Sequence, residues 1–284
     1  MFDWLLEPLG YAFMQRAILA SVVVGVVSAV VGTYVVLRGM AFFGDALAHA
    51  ILPGLAVGYV IGGPARQQLF WWALGAAIIS SLGISSLKQV TRLREDTAIG
   101  IIFAGMFALG IALISSAGSY AVDLAHFLFG NVLGVSPSDL VLISGLGLLV
   151  LVLVVAFQKE FLLLSFDPVL ARTLRIPSRR LENLLFVLIA VTVVVSLQTV
   201  GVALMVAMLV TPAASAFLIS KRVPQMMLIA ALLASLAGVL GLYLSYYLSI
   251  ASGAAIVLTS TGVFILVWGA QQVGRGIGNR RNSG

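Results

Sequence analysis

The sequence predicts an all-α integral membrane protein, a polytopic bundle of about nine transmembrane helices (eight is the alternative) forming one domain over residues 1–284. Three observations carry that prediction. Hydrophobic residues make up 61% of the chain and charged ones only 9%, against about a quarter charged in soluble domains. Apolar runs of roughly twenty residues recur along the whole length, which is what crossing a hydrocarbon core requires. The charges sum to +6, yet they sit in a few connections rather than on one face. That placement speaks to membrane orientation and lipid contact, and against nucleic acid as a partner. Mean hydropathy is +1.15. The absence of cysteine excludes disulfides, cysteine-ligated iron–sulfur clusters and thiolate metal sites.

Met1 to Pro8 is acidic rather than basic and has no small-residue cleavage site, so it reads as an interfacial segment with Trp4 and Tyr11 at headgroup level, not as a signal peptide. The first span runs from about Phe13 to Leu37, and Ser21, Gly25, Ala29 and Gly32 form a small-residue seam along it. Arg38 ends it. The second span carries Asp45 and His49 and ends at Gly62-Gly-Pro-Ala-Arg66. The third runs from about Leu69 to Leu87 with Trp71 and Trp72 as interface anchors, and a basic loop, Lys88 to Arg94, follows. Glu95, Asp96 and Thr97 open the fourth span, where acidic and capping residues belong, and it reaches about Ser116. After a wetter stretch from Gly118 to Asp139, the fifth span covers about Leu140 to Phe157. The longest polar connection is Gln158 to Arg180. Leu181–Gln198, Val200–Ile219, Met226–Ile250 and Ala254–Trp268 complete the set.

Positive residues mark the cytoplasmic side. The basic stretches at 88–94, 158–180, 221–222 and the tail (Arg275, Arg280, Arg281) alternate correctly with nine spans, an external N-terminus and a cytoplasmic C-terminus. Arg66 is the one dissenting charge, which leaves the first two spans least fixed. A second helix starting near Arg38 would bury His49 roughly 16 Å deep, close to the midplane.

Asp45 and His49 are four apart, so on a helix they share one face a turn apart. In an apolar run such groups face a bundle interior or an aqueous path. Pro53 has no N–H to offer the His49 carbonyl, which is thereby freed. A carboxylate, an imidazole and a carbonyl within a turn suit a divalent cation such as Mn²⁺, Fe²⁺ or Zn²⁺. The plain alternative is that Asp45 caps the helix and His49 bonds across the bundle. Asp123 and His126, three apart in the outer stretch, are a second such pair, either a metal or gating pair at a pore mouth or simply solvated. In the polar connection, Asp167 caps a short helix that has Pro168 at its first position, Leu170 and Leu174 on one side, Arg172 and Arg175 elsewhere, and Pro177 as its stop. It suits a partner's groove or a membrane surface, or is simply a solvated surface helix. Thr211-Pro212 lies mid-span and is expected to kink its helix. Met205 and Met208 are either soft ligands or, more simply, gap fillers.

Val35-Val-Leu-Arg-Gly-Met-Ala-Phe-Phe-Gly-Asp-Ala-Leu-Ala-His-Ala-Ile-Leu-Pro-Gly54 resembles the first signature of the permeases of bacterial ABC importers for manganese, zinc and iron. Arg94 to Gly100, Asp167 to Arg172, Gln198 to Val202 and Leu209 to Ala214 are similar to the same family, in order along nearly the whole chain. Asp123 to Leu133 is closer to its manganese/iron branch. The resemblance implies a fold like that of the vitamin B12 and siderophore permeases, and alternating access in the bacterial plasma (inner) membrane. It also implies a homodimer with two cytosolic ATP-binding subunits and an extracytoplasmic metal-binding protein. On that reading Asp45 and His49 are a transient translocation site and Asp123 and His126 an outer gate. Residues 165–178, with Asp167, Pro168, Leu170, Arg172, Leu174 and Arg175, form the coupling segment. No cofactor is bound permanently; the metal is cargo (manganese, alternatively zinc or iron), and ATP is used by the partner. The chain has no Gly-x-x-x-x-Gly-Lys-Ser/Thr, His-Glu-x-x-His or Gly-x-Ser-x-Gly, which fits a permease rather than an enzyme. A proton-coupled secondary metal carrier is the alternative from another class.

Overall fold

The computed structural model describes residues 7–63, 65–91, 93–116 and 132–281. Among these, nine helical segments are long and apolar enough to cross a membrane, so the eight-span alternative falls away. Helix α1 (Ala12–Leu37) follows a 3₁₀ turn at Pro8–Gly10. It ends in a tight reversal in which the Met40 N–H donates to the Val35 carbonyl at 2.9 Å and Gly39 takes φ +70°, the left-handed conformation that favours glycine. That reversal uses up residues 38–42. The second crossing therefore starts at Phe43, not near Arg38, and His49 lies about 9 Å along it instead of 16 Å.

This crossing is a broken helix, α2 (Phe43–Ala50) and α3 (Leu52–Gly62), interrupted at Ile51 with Pro53 in the first turn of α3. Helix α4 (Arg66–Thr91) is longer at both ends than the sequence suggests, and it turns Lys88 and Gln89 from loop into helix. Helix α5 spans Glu95–Ser116. Helix α6 (Pro137–Ala156) opens on a capping box: the Asp139 N–H donates to Ser136 Oγ and the Ser136 N–H to the Asp139 carboxylate, both at 3.1 Å. The long polar connection folds into two short helices, α7 (Gln158–Phe166) and α8 (Pro168–Thr173). Then come α9 (Ser178–Val200), α10 (Val202–Ile219), α11 (Val223–Leu248) and α12 (Ser252–Arg281), with α10 continuing through Pro212.

Helix α1 is the hub, packed on α6, α9, α10 and α11. Its small-residue seam does what the sequence suggests. A Cβ on Gly25 would lie 3.3 Å from that of Ala234 in α11, and one on Gly32 would collide with the Leu209 carbonyl of α10. Helix α9, buried along most of its length, joins this group to α2 and α4, while α5 covers α2, α3 and α4.

Helix ends sort by chemistry. Arg38, Lys88, Glu95, Ser165 and Glu182 meet at one end of the bundle. At the other, Gln198 donates to Asp139 (3.3 Å) and the Tyr246 hydroxyl to Glu7 (3.4 Å).

Candidate functional site

Asp45 and His49 stand on the one half-open face of an otherwise buried helix: their side chains are 36% and 31% exposed, while Phe43, Ala46, Leu47, Ala48 and Ala50 are buried. The His49 Nδ1–H donates to the Asp45 backbone carbonyl at 2.9 Å, and the Asp45 carboxylate lies 3.7 Å from the same nitrogen. A carbonyl can only accept, so Nδ1 carries a proton, and in the neutral ring Nε2 keeps its lone pair for a ligand. The His49 carbonyl is not left open. At the break in the helix the Ile51 N–H turns back to it. The donors on offer are thus a carboxylate and one imidazole nitrogen. Among the described residues no group of three or more His, Cys, Asp or Glu gathers anywhere. Two oxygen and nitrogen donors make a weak, incomplete site for a first-row divalent cation.

Helix α5 walls this site with rings. Phe103 and Phe107 stack on each other with centroids 5.7 Å apart, and each meets the imidazole in a T-shaped contact, at 6.0 and 5.7 Å.

The sequence reading missed a polar cluster at the basic end of the bundle. Lys88 is ion-paired with Glu95 and with Glu182. Arg38, only 6% exposed, reaches the same two carboxylates at 3.9 and 3.7 Å and donates through Nε to Ser165 Oγ at 3.3 Å. Ser85 donates to Asn183 at 2.6 Å, and Gln89 to Ser85 at 3.0 Å. Five helices, α1, α4, α5, α7 and α9, are tied here, and the two cations balance the two carboxylates. The available signal was Glu182, a carboxylate just inside an apolar run, but nothing in the local sequence pairs it with Lys88 94 residues earlier. A cleft of about 1090 Å³ opens onto the cluster, lined also by Arg175, Arg179 and Arg180.

Residues of the 165–178 segment line this cleft. Asp167 Oδ1 accepts from the N–H groups of Val169 (3.1 Å) and Leu170 (2.9 Å), the expected cap. Among the described side chains of α8 Ala171 is buried, whereas Val169 and Leu170, and Leu174 just past its end, are exposed. The helix stops by bonding rather than at Pro177: the Ile176 N–H donates to the Ala171 carbonyl at 3.2 Å, with Arg175 left-handed at φ +55°. Met205 and Met208 are fully buried fillers. Asp123 and His126 lie outside the described residues.

Residues 10–270 match the sequence profile of the ABC 3 transport family. The chain is 43% identical to a manganese transport system membrane protein, MntC, of Halalkalibacterium halodurans, over 92% of this chain and 88% of that one. It is 40% identical to a chelated iron transport system membrane protein, YfeD, of Yersinia pestis, over 94% and 88%. The solved structure of PsaBC from Streptococcus pneumoniae in complex with Fab superposes with TM-score 0.80 at 36% identity, covering 94% of each chain. An inward-facing metal-chelate type ABC transporter shares the fold, with TM-score 0.66 at 18% identity over 89% and 85%.

Proposed function

The chain belongs to the ABC 3 transport family and is a permease subunit rather than the ATPase, and from that premise we propose that it imports divalent metal ions, manganese first, by alternating access. One observation carries the reading: a carboxylate and a backbone-oriented imidazole share the half-open face of a membrane-spanning helix that is otherwise buried. Charged groups in that position mark ion paths. Two donors per chain hold an ion weakly, as transport requires, and a second copy of the permease would bring the donors to four. Permeases of this class work with an ATPase and a binding protein. We assign two cytosolic ATP-binding subunits to the homodimer, the ATPase contact to residues 165–178, and metal delivery to an extracytoplasmic binding protein. Asp123 and His126 then receive the ion at the outer mouth. The basic end of the bundle faces the cytoplasm, and the protein sits in the bacterial plasma membrane with its N-terminus outside.

The 40% identity to an iron-system permease favours iron as the second cargo; zinc is the third, since oxygen and nitrogen donors without sulfur serve all three ions. The test is uptake by the importer reconstituted with its ATPase and binding protein. Asp45→Asn and His49→Ala should cut manganese uptake at least tenfold, since losing even a group that orients a metal ligand costs about 10–100-fold, with the complex still assembled. Normal uptake by both variants overturns the reading. Competition by iron and zinc ranks the cargoes.

A further inference from the structure

His49 is half exposed, and an imidazole so placed turns freely unless something holds its ring. The Asp45 carbonyl holds one nitrogen at 2.9 Å. The remaining restraint comes from α5. Phe103 and Phe107, four residues apart, lie nearly parallel (21°) and stand across the imidazole at 87° and 73°, with centroids 6.0 and 5.7 Å away. Phe42, just before α2, braces Phe103 edge-on at 5.8 Å. Edge-to-face contacts at these spacings are attractive and orientation-dependent. Turning the imidazole would break both of them together with the backbone bond.

We propose that Phe103 and Phe107 are positioning residues for His49, holding the ring so that Nδ1 stays on the backbone and Nε2 alone is offered to the divalent cation. The proposal rests on the reading of Asp45 and His49 as the transport site. Neither phenylalanine has a donor atom to offer the ion. They act as outer-shell carboxylates and carbonyls act on metal-ligating histidines, by fixing tautomer and orientation, but with ring faces and edges instead of hydrogen bonds. Both also ride on the helix whose first residue, Glu95, is ion-paired with Lys88 and Arg38. The wall around the ligand and the polar cluster at the basic end therefore belong to one rigid element.

Two measurements on the full importer test this. In manganese uptake, the double variant Phe103→Ala/Phe107→Ala should raise KM about tenfold while the rate at saturating metal is kept, and Phe103→Tyr/Phe107→Tyr, which keeps the rings, should keep the KM. An unchanged KM in the alanine pair, or a fall in maximal rate alone, overturns the proposal. Nitrogen-15 spectra of the metal-free complex, assigned with His126→Gln, give the second readout. His49 should show the single Nδ1–H tautomer in the native permease and a mixture of tautomers in the alanine pair. An alanine pair that retains the single tautomer overturns the positioning role whatever uptake does. Because no metal enters the spectra, that outcome stays separate from a failure of the transport-site reading, which only His49→Ala uptake decides.

Discussion

Two residues hold conformations that their neighbours enforce. His49 is fixed by a carbonyl and two rings, and Arg175 is fixed in a left-handed backbone at φ +55°. At the end of α1 the same reversal is made by Gly39 at φ +70°, where it costs nothing. At the end of α8 the sequence places an arginine instead, with a Cβ that the left-handed region penalises by roughly 1–2 kcal/mol. Part of a glycine's advantage there is lost to the greater freedom it gives the unfolded chain. Arg175→Gly should therefore stabilise the permease by about 0.5–1 kcal/mol, read as a raised thermal unfolding midpoint in detergent, whereas Arg175→Ala should give no gain. A destabilised glycine variant would show that the guanidinium, which lines the cleft, contributes more than its backbone costs.

Helix ends, more than helix faces, organise the element scale. Lys88 stands on the last turns of α4, and its ammonium meets a carboxylate from the first turn of α5 and another from the second turn of α9. Both carboxylates are less than a fifth exposed, so removing the lysine leaves two partly buried anions sharing Arg38. Lys88→Met should destabilise the protein by about 2 kcal/mol or more, since breaking one side of a buried pair strands the other. The loss should shrink when Glu182→Gln is added, with a coupling of about 1 kcal/mol in a double-mutant cycle. Strict additivity of the two changes would mean that solvent screens the pair.

For the whole molecule, the decisive feature is where the bundle presents apolar surface outside the spans. Val169 and Leu170 on a capped six-residue helix, and Leu174 just past its end, are exposed beside a cationic cleft, at the end of the bundle where the basic connections gather. A helix with a fixed start and a bonded stop suits transmitting force to a partner. If this helix seats in a groove of the ATP-binding subunit, as proposed, Leu170→Asp/Leu174→Asp would carry two charges into that groove, each costing several kcal/mol if unpaired. Membrane insertion should survive. Copurification of the ATP-binding subunit, metal-stimulated ATPase activity and uptake should all be lost. Normal pull-down and transport by the double variant would remove this helix from the coupling role.

Much of this was determined by the sequence alone. Spans are local: about twenty apolar residues must be helical in lipid because every backbone group needs an internal partner, so all nine crossings could be read from the sequence, most of them to within a few residues. The Asp45/His49 face was legible for the same reason, since helical periodicity puts positions four apart on one side. So was the Asp167 cap, a contact across two or three residues. Tertiary structure decided the rest. The tight turn at Gly39 that shortened the second crossing is the exception, a local feature closed over five residues that the span pattern did not reveal. The imidazole's tautomer and its Phe103/Phe107 wall, and the convergence of Arg38, Lys88, Glu95 and Glu182, join groups up to 144 residues apart (Arg38 to Glu182). No period or spacing encodes such pairings. They arise when packed helices bring their ends and faces together, and the cost of leaving a charge unpaired there selects which ends meet.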